Sequence, residues 1–342
     1  CSNPDAGFGM VLARVDGGPP GMKGISLFLL PRIKDDGSTN YYQIVRLKDK
    51  MGTRSMASGE IRMDGAIAYL VGEQGRGFVQ IADMVNNSRL SNGMRSGGAR
   101  RRGVAEAEFI ARERWAFKHR LQDLPLMRVQ LDKLRVPAEQ ARTMVFQTAA
   151  TLARSDAGDK TAYALLRILT PLIKFRACRD ARKVTGDAME VRGGCGYIEE
   201  WADPRLVRDA HLGSIWEGTS NIVALDVKRA IKREGSLPVL QEYLLGLLAD
   251  TQGITPAYRQ ALTDALARAV QLSEHAVAEH GEKLVRQAAT ALYNCTTAIA
   301  MVWEASKTGS AERMRLSRLV LAHRVLPRDP MAESAVPAEW VH

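Results

Sequence analysis

Short apolar runs closed by turn formers fill the first 78 residues of the chain. Gly9–Val15 stops at Asp16-Gly17-Gly18-Pro19-Pro20, and Ile25–Leu30 stops at Pro31. Asp35-Asp36-Gly37-Ser38 marks a turn before Tyr41–Arg46, after which Gly59–Met63 and Ala66–Val71 follow. Aromatic and β-branched residues at this spacing, with glycine and proline between, predict strands. The stretch is short for a complete barrel or sandwich. A partial antiparallel β-domain over 1–78 is therefore expected.

From Phe78 onward the apolar positions recur at helical spacing. Phe78–Ala116 predicts one long helix or two, with Gly93, Gly97, Gly98 and Gly103 inside. Each helical glycine costs about 1 kcal/mol relative to alanine, so close packing or a break is expected there. A break near Asp123–Pro125 leads to a helix over Leu126–Leu152. Ser155 or Asp156 is the expected cap of the next helix, Lys160 to Arg192, which Gly193-Gly194 stops. Long antiparallel helices joined by short turns predict a four-helix bundle over 79–235. Thr219 or Ser220 can cap a further helix whose buried face is Val223, Val227, Ala230 and Ile231. After Gly235, Leu237–Leu248, Pro256–Glu279, Lys283–Ala305 and Ala311–Leu326 predict a helical C-terminal extension over 236–342, with 327–342 frayed. The fold class expected is α+β, mainly α.

Composition narrows the class. No apolar run spans a bilayer, and the first residues lack the basic start and apolar stretch of a leader. Cys1, Cys178, Cys195 and Cys295 lie far apart with no CxxC pair. That argues against a zinc site or a disulfide framework and suits a reducing, cytoplasmic setting. The net charge of +10 is uneven, since residues 236–342 carry 10 Lys+Arg against 11 Asp+Glu. The basic balance therefore belongs to residues 1–235. It suits either a solvated surface or phosphates on nucleic acid, CoA or a dinucleotide.

Candidate chemistry centres on Gly193-Gly194-Cys195-Gly196-Tyr197 and Ile215-Trp216-Glu217-Gly218-Thr219-Ser220-Asn221-Ile222. The glycine cluster follows a helix and lacks the Lys-Ser/Thr of a phosphate loop. Alone it reads as a helix stop. Glu217 alone reads as a charge suited to a helix N-terminus. Flanked by Ile215 and Trp216, it reads instead as a base in largely apolar surroundings. Arg100-Arg101-Arg102, with Arg89 and Arg95, is either a solvated or subunit-facing helix side or a nucleic-acid contact. His275 and His280 are five apart and miss the HExxH spacing of four, so no metal is expected. No GxSxG supports a serine nucleophile.

These two segments, with Arg205-Leu206-Val207-Arg208-Asp209-Ala210 between them, resemble the C-terminal signature of acyl-CoA dehydrogenases. Gly24–Pro31, Val71–Gly77 and Glu113-Arg114 with Phe117 extend the resemblance back to the β-domain. Arg46–Gly52, Leu124–Arg128, Ser214–Gly218 and Leu225-Asp226-Val227 look closest to the AidB-type alkylation-response branch. The resemblance implies FAD held between β-domain and bundle. It implies Glu217 as the base that takes the α-proton of an acyl-CoA thioester while a β-hydride passes to the flavin. Ser88 stands at the alternative position of the base. Ser2, Thr219 and Asn221 match positions that touch FAD. Arg114, Phe117, Gly193 and Gly194 match contacts to a neighbouring subunit's FAD, and Arg89 and Gly218 match substrate contacts. A homodimer or homotetramer is implied, with electron-transfer flavoprotein as acceptor. The AidB-type alternative implies DNA association with little dehydrogenation. A third reading is a shortened copy that binds no flavin and only oligomerises. Departures from the family pattern are the missing N-terminal helical domain, Lys118 in place of glycine and Pro125 in place of glutamine.

Overall fold

A computed structural model describes residue 3 and residues 5–341; Ser2 lies outside the described residues. The chain divides into two compact units, one ending at Ser88 and the other starting at Arg89. Each is described by itself.

In the first unit the predicted strands form with small shifts at their ends: β1 (Phe8–Arg14), β2 (Ile25–Pro31), β3 (Tyr42–Leu47), β4 (Gly59–Met63) and β5 (Tyr69–Val71). Antiparallel pairing builds a sheet in the order β1-β2-β5 and a separate β3-β4 ribbon. A bulge between Ile44 and Arg46 interrupts the ribbon. Asn40 organises the turn region. Its amide donates to the carbonyls of Pro31 and Ile67, and its side-chain oxygen accepts from the N–H groups of Tyr41 and Ile67. The apolar side of β1 stays open within this unit, with Phe8, Met10 and Leu12 exposed. A short helix, α1 (Gly77–Gln80), follows the strands. A Cβ on Gly77 would lie 2.4 Å from the Ser26 carbonyl carbon, so glycine lets helix and strand backbones touch.

The helical unit begins within α2 (Ala82–Glu113). A two-residue hairpin, β6 (Trp115–Ala116) and β7 (His119–Arg120), leads to α3 (Pro125–Asp156) and α4 (Lys160–Arg192). Then come α5 (Ala202–Gly213), α6 (Ser220–Glu234), α7 (Ser236–Ala249), α8 (Pro256–Val277), α9 (Val285–Thr308) and α10 (Ala311–Val320). A π-turn, Leu321–Val325, and a 3-10 turn, Ala338–Trp340, close the chain. α4 is buried on almost every side and is the central helix of the bundle. One core runs from α3 and α4 through α6 to α10, so helices before and after Gly235 share it.

Two of the four glycines of α2 mark close packing, Gly98 has open space beside it, and the helix does not break. A Cβ at Gly93 would meet Ile173 of α4 at 2.9 Å, and one at Gly103 would meet Ala188 at 3.4 Å. Two expectations need correction, the cap of α4 and the frayed tail, and one helix is new. α3 continues to Asp156, and Asp159 caps α4 by accepting from the Ala162 N–H at 3.0 Å, in place of Ser155 or Asp156. α5 forms as a full helix over residues read before only as a motif segment. The tail is docked through its last turn. Trp340 is 4% exposed and lies 5.2 Å from the Tyr258 ring, while the Thr255 hydroxyl donates to the Glu339 carbonyl.

Candidate functional site

Glu217 sits on the turn between α5 and α6 with φ 57°, and Gly218 follows with φ 105°. A left-handed backbone at a glutamate costs about 1–3 kcal/mol, so the surroundings must hold it. They do so from beneath. The Lys174 ammonium, on α4 and 1% exposed, donates to the Gly218 carbonyl. Arg89 Nε, on α2, donates to the Glu217 carbonyl at 3.1 Å. Arg89 is fixed in turn by Asp226 of α6, 3% exposed, through an ion pair of 2.7 Å. Arg167 and Arg229 share Asp226 at 3.6 and 3.2 Å. Trp216 is covered by the Arg95 guanidinium at 4.9 Å from its ring centre, a cation–π contact. Burial pushes the Lys174 ammonium below its usual range and nearby Arg89 pushes the same way, while Cys178 and Glu217 oppose them. Within this unit the Glu217 turn thus has cationic support, where the sequence suggested mainly apolar surroundings.

Thr219 occupies the N-cap position of α6, yet its side chain makes no cap hydrogen bond. Its hydroxyl and the first N–H groups of α6 suit an acceptor-rich ligand. Asn221 accepts from Arg286 of α9 at 3.2 Å.

The other expected cofactor contacts gather at the far end of α4. Arg192 pairs with Asp203 of α5 at 2.7 Å and with Glu106 of α2 at 2.5 Å, which fixes the helix end. Gly193 follows with φ 74° and opens the 3-10 turn Gly193–Tyr197, with Gly194 as its second residue. Arg114 donates to the Arg192 carbonyl at 3.3 Å and lies beside Gly193. Phe117 and Lys118 form the β6–β7 loop, with φ 51° and 66°, and the Phe117 ring is 86% exposed. Two left-handed residues in a row fit the tight hairpin turn that favours glycine. Lys174 and Arg192 are roughly 27 Å apart along α4 at about 1.5 Å per residue. The structure therefore groups Glu217, Gly218, Thr219, Asn221 and Arg89 in one place, and Arg114, Phe117, Gly193 and Gly194 in another.

The arginine run does not form one basic face. Arg100 is fully buried, with its guanidinium on the Pro137 carbonyl at 2.5 Å, and Arg102 pairs with Glu106 at 2.6 Å. Sequence reasoning did not single out Lys174 or Asp226 as site residues. A lone lysine inside Leu172-Ile173-Lys174-Phe175 was the available signal, since a charge in an apolar helix stretch needs a partner.

Among the described residues, no group of three metal-ligating side chains occurs, and no helix is long and apolar enough to cross a membrane. Residues 75–232 match the family described as acyl-CoA dehydrogenase, C-terminal domain. The chain is 36% identical over 255 residues to acyl-CoA dehydrogenase family member 11 of Caenorhabditis elegans, covering 72% of this chain and 41% of that one. It is 35% identical over 236 residues to AidB of Escherichia coli (strain K12), covering 69% and 42%. The crystal structure of Caenorhabditis elegans ACDH-11 in complex with C11-CoA superposes with a TM-score of 0.86 at 29% identity, covering 95% of this chain and 58% of that one. A Bacillus anthracis acyl-CoA dehydrogenase complexed with FAD shares the fold, with a TM-score of 0.74 at 20% identity, covering 92% and 59%. The chain spans about two fifths of the length of these two curated relatives.

Proposed function

Because the chain belongs to the acyl-CoA dehydrogenase family through its domain at residues 75–232, we propose that it takes part in FAD-dependent α,β-dehydrogenation of an acyl-CoA thioester, with Glu217 as the base. The observation that carries this reading is the strained Glu217 turn, held on Arg89 and Lys174. A carboxylate on a left-handed turn that costs stability, its backbone held by the buried Lys174 and the half-buried Arg89, fits a positioned base better than a helix cap.

Thr219 and Asn221, with the first N–H groups of α6, fit one part of FAD. Arg114, Phe117, Gly193 and Gly194 fit a second copy's FAD, since they stand at the other end of α4. When bound, FAD supplies the hydride acceptor. The Glu217 carboxylate takes the α-proton. A thioester α-proton is too weakly acidic for a carboxylate acting alone, so donors to the thioester oxygen are required, and the Glu217 backbone N–H is proposed as one. Arg89 and Gly218, expected as substrate contacts, serve the substrate through this turn: one holds the Glu217 carbonyl, and the other offers its carbonyl to Lys174. A homodimer or a dimer of dimers and electron-transfer flavoprotein as acceptor complete the proposal.

The test is optical. The purified chain supplied with FAD should be yellow, and an acyl-CoA from a panel of chain lengths should bleach it. Glu217→Gln should keep the colour and lose the bleaching by a factor of 100 or more, on the order expected for general-base loss. Bleaching that survives the substitution would remove Glu217 from the role. Protein that stays colourless with FAD would overturn the flavin part of the proposal.

A further inference from the structure

A cleft of about 600 Å³ opens in the helical unit between α4, α8, α9 and the π-turn. Five arginines line it: Arg176 and Arg179 from α4, Arg268 from α8, Arg286 from α9 and Arg324 from the π-turn. Asp180 is the carboxylate bound to this group. It accepts from Arg176 at 2.5 Å and from Arg324 at 3.0 Å. Among the described residues, Arg179, Arg268 and Arg286 make no ion pair. Arg179 reaches the Ser220 hydroxyl at 3.2 Å and Arg286 reaches Asn221 at 3.2 Å, both neutral partners. Arg176 Nε is buried and has no hydrogen-bond acceptor. Burial, then the charges of Arg286, Arg176 and Arg182, pushes the Arg179 guanidinium below its usual range.

Arg176, Arg179 and Arg324 are half-buried and Arg268 and Arg286 exposed at the mouth, and five guanidinium groups against one carboxylate leave a formal surplus of four positive charges. A folded chain keeps such a cluster at a cost unless an anion offsets it. Guanidinium groups bind phosphate oxygens in pairs. Gln287 and Thr290 add neutral polar groups to the wall, and Phe175, Leu272 and Val325 give it an apolar side. A concave wall with one apolar side suits a small molecule better than the backbone of a duplex.

We propose that this cleft binds a small anion carrying two adjacent phosphates, the chemistry shared by inorganic diphosphate, nucleoside diphosphates and the diphosphate of CoA. The inference rests on the cluster itself and does not depend on Glu217 acting as a base.

Calorimetric titration of the full chain with inorganic pyrophosphate tests it. Pyrophosphate should bind at least tenfold more tightly than orthophosphate. Arg179→Gln with Arg268→Gln should weaken it at least tenfold, with the thermal midpoint held or raised. Arg101→Gln, an exposed arginine elsewhere on α2, should change nothing. Competition identifies the source. Displacement by ADP supports a nucleotide, displacement by CoA but not ADP supports the coenzyme, and displacement by neither supports free diphosphate. Equal binding of orthophosphate, or binding indifferent to the double substitution, would overturn the proposal. Displacement by FAD with loss of flavin colour in the double variant would overturn it as well, by making the cleft part of the flavin site.

Discussion

Glu217 and Lys174 form one unit at the level of single residues. The turn needs a left-handed glutamate, and the buried ammonium on the Gly218 carbonyl is part of what pins it. Replacing Lys174 by methionine keeps the volume but leaves that carbonyl without its donor. A charged hydrogen bond of this kind contributes about 1.5–3 kcal/mol, partly offset because no buried charge remains. Urea unfolding of Lys174→Met should therefore show a loss below about 3 kcal/mol, with bleaching by acyl-CoA reduced more than stability. The pH dependence has a definite sign. Lys174 in the folded chain holds its proton less tightly than in the unfolded chain. Between the lowered folded value and the ordinary lysine range, the unfolded chain binds more protons, so this group's contribution makes stability rise with pH. The wild type should gain stability relative to Lys174→Met as pH climbs toward the ordinary lysine pKa. A flat difference would mean that the ammonium is not desolvated.

At the scale of elements, the tail carries the clearest consequence. Trp340 is enclosed against Tyr258, whose hydroxyl bonds to Ser317 at 2.7 Å, so the final turn closes the side of α8. Trp340→Ala should cost about 3–5 kcal/mol, read as a lowered midpoint in denaturant. A change under 1 kcal/mol would return the tail to a frayed end. The sequence misled here because 327–342 has proline, charge and little period, the marks of a loose end. A single tryptophan anchor is invisible to periodicity. Helices with strong period were legible: α4 lies where the apolar spacing and the Gly193-Gly194 stop placed it. The end of α3 was not, because Ser155 and Asp156 are good caps that the helix overran, leaving Asp159 to do the capping. The start of α6 beside Glu217 was legible from Thr219 and Ser220. The cationic support of the Glu217 turn was not, because Arg89, Lys174 and Asp226 come together from three helices distant in sequence. Arg100 read as a surface charge within its run, yet three-dimensional packing placed it in the core.

On the scale of the whole molecule, the separation of the two residue groups along α4 has a genetic reading. If Glu217 serves its own copy's flavin while Arg114 serves a partner's, two inactive variants carry complementary lesions. Mixed in one two-fold dimer, Arg114→Ala and Glu217→Gln chains place both defects in one centre and leave the other whole. Random pairing at equal amounts should then restore about a quarter of wild-type bleaching from two preparations that are each dead alone. Activity that never recovers would assign both groups to the same centre. A protein built this way tolerates lesions by pairing them, so that in a cell carrying both alleles the defect of each would be partly masked by the other.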